Sequence, residues 1–255
     1  MDDAELLRRV HTCLIAEAEL WGSGSGSAYL ERLPGVIAAV SPAAPDRSLF
    51  NCVVPDSLAS LEAAYPKLAA SFADAGVRAF TVWVGPGDRA MADFLAARGH
   101  KLDSRPAAMA AAMSELAIPE AGDLDWEATR DLGLLARIND QAYGFPPPAF
   151  EAALTSWPAD DGWRGYVARA DGRPAACAIV YESPDGDCGV TGVASLPDAR
   201  GKNLAGRLLG RALAEARTRG ATSTSLQASP LGRPVYAKMG YRDLGEMGMW
   251  EHRVS

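Results

Sequence analysis

The chain has 255 residues, 48% hydrophobic and 22% charged, which is enough apolar material for one large domain or two of ordinary size. Its net charge of −7 excludes a nucleic-acid binder, because neutralising phosphates requires a surplus of Lys and Arg. Four widely spaced cysteines (Cys13, Cys52, Cys177, Cys188) fit buried thiols in a reducing compartment, and three histidines without ligand spacing give no metal site.

In chain order, the N-terminus MDDAELLRRV is acidic first and lacks the cationic start and apolar stretch of a signal peptide. No apolar run reaches membrane-spanning length, so the expectation is a cytoplasmic protein with no membrane partner. The Gly-Ser alternation at 22–27 reads as a flexible loop rather than a nucleotide fingerprint. Ser57 to Ala75 is a helical stretch closed by Gly76, followed by a strand at Ala79 to Val84 and a helix from Asp88 to Arg98 before Gly99 and His100. Glu115 to Gly122 marks a boundary. A helix follows over Asp131 to Ala142, with apolar residues at Leu132, Leu135 and Ile138. Tyr143 to Pro148 is a loop and Ala149 to Ser156 a short helix. Strands at Trp163 to Arg169, Pro174 to Tyr181 and Cys188 to Leu196 are joined by Asp-Gly turns at 171–172 and 185–186. A helix then runs to about Arg219, with Gly220 as its stop, followed by a strand at Thr222 to Ala228. A short helix over Val235 to Met239 ends at Gly240, and two closing strands begin near Tyr241 and Met247.

The end of this pattern occurs twice. The helix, Gly76, strand, helix and Gly99 of the first half parallel the helix, Gly220, strand, helix and Gly240 of the second at nearly constant separation. One repeat of this length implies two tandem copies of one domain, divided as 1–118 and 119–255.

The most informative segment is the passage from Val193 to Leu209. A strand runs through Pro197, turns at Arg200 and Gly201, and opens into a helix. The first turn of a helix carries N–H groups with no intrahelical partner, and the helix dipole favours an anion there. Small residues at Gly201, Ala205 and Gly206 allow close approach, and Arg200 and Lys202 add positive charge. The alternative is an ordinary strand-to-helix turn. A nucleotide-hydrolase phosphate loop is excluded, since no Gly-Lys-Ser/Thr closes the segment.

Arg200-Gly201-Lys202-Asn203-Leu204-Ala205, with Tyr236, Gly240 and Tyr241 in register downstream, resembles the GNAT superfamily of acyl-CoA-dependent N-acyltransferases over roughly residues 123–255. The chain departs from the family's loop at Asn203, where the pattern has Gly. The resemblance implies an α/β protein (α+β type) of two tandem GNAT-like domains, each a mixed, mainly antiparallel sheet flanked by helices. It also implies acetyl-CoA as cosubstrate, with Arg200, Gly201, Lys202, Asn203, Leu204, Ala205 and Gly206 on the pyrophosphate. Val193 and Ser195 would lie along the pantetheine arm, and Tyr236 would be the general acid. The acceptor site usually involves the loop between the first two helices, here Tyr143 and Phe145.

Glu182 and Asp187, flanking the hairpin before the loop, are candidate bases acting through water, or solvated turn residues. In the first half Ser57 to Ser60 stand where Arg200 to Asn203 stand in the second, and Leu95 replaces Tyr236. That copy is therefore expected to lack chemistry and to shape the acceptor pocket or pack as a partner. The expected activity is transfer of an acetyl group to a primary amine of a small molecule or peptide by direct attack. The alternative is a non-catalytic acyl-CoA-binding or regulatory module. Pairing of two copies into a homodimer stays open.

Overall fold

The computed structural model describes residues 1–145, 148–159 and 161–254. Pro146 and Pro147 of the expected Tyr143 to Pro148 loop lie outside the described residues. The chain opens with a long helix, α1 (Asp3–Ser23), which was not anticipated. Asp2 caps it by accepting from Glu5 N at 2.8 Å, and Leu6, Val10, Leu14 and Trp21 form its buried stripe at helical spacing. Strands β1 (Tyr29–Leu33), β2 (Val36–Val40) and β3 (Cys52–Pro55) follow. Next come α2 (Leu58–Asp74), β4 (Ala79–Val84), α3 (Arg89–Ala96), β5 (Lys101–Ser104) and β6 (Ala107–Ala112).

The second half consists of β7 (Trp126–Thr129), α4 (Leu132–Tyr143), α5 (Phe150–Ala153), β8 (Trp163–Ala170), β9 (Arg173–Glu182) and β10 (Asp187–Ser195). It closes with α6 (Leu204–Thr218), β11 (Ser223–Ala228), α7 (Arg233–Lys238), β12 (Arg242–Glu246) and β13 (Gly248–Arg253). Helix α5 is a single turn rather than the longer helix expected over Ala149 to Ser156. The Asp140 carboxylate accepts from the backbone N–H groups of Ala149, Phe150 and Glu151 and starts that turn, while Thr155 N turns away to donate to Gly24 O at 2.5 Å. The turn at Asp171 and Gly172 has positive φ at both residues (52° and 73°), as a two-residue hairpin requires.

The strands form two mixed, mainly antiparallel sheets flanked by helices, in the orders β1-β2-β3-β4-β13-β5 and β12-β6-β11-β10-β9-β8-β7. Each sheet contains one parallel pair, β3 with β4 and β10 with β11. From their three-strand runs onward (β1–β3 and β8–β10) the two halves repeat the same succession of elements, but they exchange their final strands. β6 of the first half pairs with β11 and β12 of the second, and β13 of the second pairs with β4 and β5 of the first. Short links, Arg105-Pro106 and Met247, carry the chain from one sheet to the other. They bond to each other where they cross, Met247 N donating to Pro106 O at 2.9 Å. The sheets therefore run across the division expected between 118 and 119.

One core lies under α6 (Tyr166, Leu208, Leu209, Leu213, Leu226) and another under α2 (Val53, Leu61, Leu68, Phe72, Val82). A third core joins the halves, with α1 at its centre and Phe50, Leu135, Phe150, Trp163 and Ile179 around it. Among the described residues no helix is long and apolar enough to cross a membrane.

Candidate active site

Strands β10 and β11 pair only over their first four residues, Asp187↔Ser223 to Val190↔Leu226. Beyond that point β11 stays with β6, through Gln227↔Ala108 and Ala228↔Ala107. β10 stays with β9 but shifts register between Thr191 and Ala194, where Gly192 has φ 56°. The buried Asn139 of α4 holds this bulge, its Nδ2 reaching Leu135 O at 2.9 Å and Gly192 O at 3.4 Å. The fork leaves one edge of Val193, Ala194 and Ser195 without a strand, and that edge lines a cavity of about 760 Å³.

The loop after β10 forms one end of this cavity. Gly201 (φ 80°) and Asn203 (φ 54°, ψ 28°) both have positive φ, the backbone conformation from which anion-binding nests are built. Asn is among the few residues other than Gly that adopt this conformation readily, so the departure at Asn203 keeps the loop's geometry. No side chain caps α6, and no acidic residue stands in its first turn. The equivalent helix α2 is different, because Ser57 Oγ accepts from Ser60 N at 3.2 Å and occupies that end.

Arg200, Gly201, Asn203, Leu204, Ala205 and Gly206 line the cavity, whereas Lys202 is exposed and does not. The Arg200 guanidinium donates to Ala142 O at 2.8 Å and ties the loop to the end of α4. An uncapped helix start, a nest and an open strand edge suit a pyrophosphate followed by an amide-bearing arm, and these chain features fit coenzyme A.

Tyr236 of α7 faces the same cavity from below. It is 9% exposed, and its ring lies so close over Gly232 that a Cβ there would meet it at 2.8 Å. Burial, and secondarily the nearby Tyr143, pushes its pKa well above the usual phenol value, so it keeps its proton at neutral pH. Tyr143 and Phe145 also line the cavity, with Gly144 between them in the left-handed conformation (φ 70°) that ends α4. Their rings stack with centroids 5.7 Å apart.

The two candidate bases lie elsewhere. Glu182 forms a bidentate pair with Arg219, with Nε to Oε2 at 2.8 Å. Asp187 is 2% exposed and accepts from Ser223 Oγ at 2.5 Å and Ser225 Oγ at 2.6 Å, bracing β10 against β11. Neither lines the cavity, and Asp187 begins β10 on the order of 13 Å before the fork. Their partners account for both carboxylates structurally.

The first half also lines the cavity, through Glu17, Trp21, Leu49, Trp83 and Ser104, with Met249 of the exchanged β13; sequence reasoning expected that half to shape the acceptor pocket or pack as a partner but named none of these residues. The available signal was the apolar spacing Leu6, Val10, Leu14, Trp21, which marks α1 and places Glu17 near the same face. Among the described residues no group of three or more His, Cys, Asp or Glu side chains is arranged to hold a metal.

Residues 126–241 match the acetyltransferase (GNAT) family. No curated protein matches the sequence at a significant level. Among solved structures, a GCN5-related N-acetyltransferase from Kribbella flavida is 20% identical with a TM-score of 0.65, covering 95% of this chain and 96% of its own. A tandem GNAT protein from the clavulanic acid biosynthesis pathway is 16% identical with a TM-score of 0.60, covering 99% and 96%. A GNAT-family protein from Novosphingobium aromaticivorans, described as a candidate acetyltransferase, is 18% identical with a TM-score of 0.54, covering 94% and 99%. Residues 126–241 thus match the acetyltransferase (GNAT) family model, and the chain as a whole shares its fold with these solved structures.

Proposed function

We propose that the chain transfers an acetyl group from acetyl-CoA to a primary amine by direct attack within the 760 Å³ cavity. One observation carries this reading: Gly201 and Asn203 to Gly206 of the loop, the open edge of β10 and Tyr236 all line one space. The nest and the N-terminus of α6 hold the pyrophosphate, and the backbone of Val193 and Ser195 pairs with the pantetheine amides in place of β11. Acetyl-CoA supplies the activated acyl group. Tyr236 gives its proton to the sulfur as the C–S bond breaks, and it recovers one from the amine nitrogen as the amide forms. Holding both substrates side by side supplies most of the rate through orientation.

Calorimetry with CoA, followed by thiol release from acetyl-CoA across a panel of primary amines, tests the proposal. Binding together with amine-dependent thiol release is expected. Binding without turnover on any amine would instead support a non-catalytic acyl-CoA-binding module.

A further inference from the structure

The far wall of the cavity comes from the first half of the chain and carries one carboxylate. Glu17 on α1 is 8% exposed, and Trp21 stands one turn further along the same helix face. Glu17 Oε1 accepts a hydrogen bond from Thr191 Oγ1 at 2.7 Å, at the residue where β10 parts from β11. Among the described residues no Lys, Arg or His pairs with it. A buried carboxylate without a counter-ion is costly, and a cationic group entering the cavity would offset that cost.

Burial raises the carboxyl to about 7, against the opposing hydrogen bond from Thr191. The titratable groups facing it are Cys13 on its own helix, Cys52 on β3 and Tyr143 on α4. Burial raises both thiols and the Tyr143 phenol is raised as well, so all three are neutral at pH 7 and none adds a charge beside the carboxylate. Apolar side chains, Leu49, Trp83, Met249, Phe145 and Phe150, make up much of the lining, beside the polar Ser104, Gln227 and Ser229. Trp21 packs edge-on to Phe50 and Phe150 at 4.9 and 5.9 Å, and its indole Nε1 has no hydrogen-bond partner.

We propose that Glu17 receives the acceptor, pairing with its ammonium and removing a proton, and that the acceptor is a primary amine on a compact aromatic or branched aliphatic body. This rests on the acyltransferase reading above. The ammonium passes one proton to the Glu17 carboxylate, and the freed lone pair forms the C–N bond at the thioester carbonyl as the C–S bond breaks. The sulfur takes the Tyr236 proton, the nitrogen's second proton restores the phenol, and Glu17 releases its proton to water when product leaves. Among the described residues Glu17 is the one carboxylate lining the cavity, so a polyamine would bury a second charge without a partner.

The test is the pH dependence of kcat/KM with acetyl-CoA and 2-phenylethylamine for the wild type, Glu17→Gln and Glu17→Asp, beside calorimetric CoA binding. The wild type should show a rising limb near pH 7, distinct from the higher titration of the amine itself. Glu17→Gln should bind CoA as the wild type does, lose that limb and fall roughly 10²- to 10⁴-fold, and Glu17→Asp should recover part of the loss. A Gln variant with wild-type rate and limb would overturn the role of Glu17 alone. If that variant fails to bind CoA, the wild-type profile decides, and absence of the limb overturns the proposal. Faster transfer to glucosamine than to 2-phenylethylamine, or no transfer to 2-phenylethylamine and isoamylamine by a CoA-binding wild type, overturns the acceptor class. Failure of the wild type to bind CoA overturns the acyltransferase reading itself.

Discussion

In the proposed reaction two residues carry the chemistry, and a third shapes the loop. Tyr236 is buried, keeps its proton and faces the cavity, so Tyr236→Phe should lower turnover by roughly 10²- to 10⁴-fold and leave CoA affinity unchanged in calorimetry. Asn203 sits at φ 54°, where a non-glycine residue is disfavoured by about 1–2 kcal/mol and Asn by less. Asn203→Gly should therefore hold or tighten CoA binding, and Asn203→Val should weaken it by at least about tenfold. Glu17 bears on stability as well as rate. Its carboxyl titrates near 7 in the fold against an ordinary value of 4.5, so the folded chain keeps a proton that the unfolded chain has lost between those values. Stability consequently falls as pH rises through that window, by about 3 kcal/mol for this group. Urea melts should show Glu17→Gln more stable than the wild type at pH 8 and equal to it below pH 4.5. Arg200 to Gly206 and Tyr236 were legible in the sequence because their motifs are local: a glycine turn opening a helix, and a tyrosine before Gly240. Glu17 was not legible, because only tertiary folding brings α1 to Thr191, and a lone Glu in an uninterpreted segment carries no pattern.

The site exists because β10 leaves β11 after Val190, and the bulge that allows this is held by one buried amide. Asn139→Ala should cost about 1–3 kcal/mol in chemical melts and weaken CoA binding, since the Gly192 carbonyl loses a donor and the strand edge loses its support. Helices α2 and α6 make the same contrast within one molecule. Equivalent in order, they differ in that Ser57 caps the first while the second begins at a left-handed Asn203 with its donors open. Most second-half elements could be anticipated to within a residue or two, because Asp-Gly turns and helix-stopping glycines punctuate them. Helix α5 could not, since Asp140 and Gly24 set its ends from a distance. For Glu182 and Asp187 the sequence shows the hairpin but not their partners Arg219, Ser223 and Ser225, which reach them only in the folded chain.

The whole molecule is one interlocked unit rather than two beads. The tandem repeat was readable from the paired glycines, but the exchange of β6 and β13 was not, because a strand's sequence does not say which sheet it joins. β13 lies between β4 and β5, so deleting residues 248–255 should unfold the first sheet, seen as loss of the cooperative thermal transition. The exchanged strands and the shared core fix the Glu17 and Trp21 wall against the Gly201 to Gly206 wall, which makes the acceptor side a product of both halves. The central claim is that this composite cavity joins an acetyl group to an amine. The most direct measurement is the mass balance of a reaction with acetyl-CoA and 2-phenylethylamine, counting free thiol and N-acetylated amine together. Equal amounts of the two, both formed roughly 10²- to 10⁴-fold more slowly by Tyr236→Phe, are predicted. Thiol released without acetylated amine, or CoA bound with neither product formed, would contradict the account.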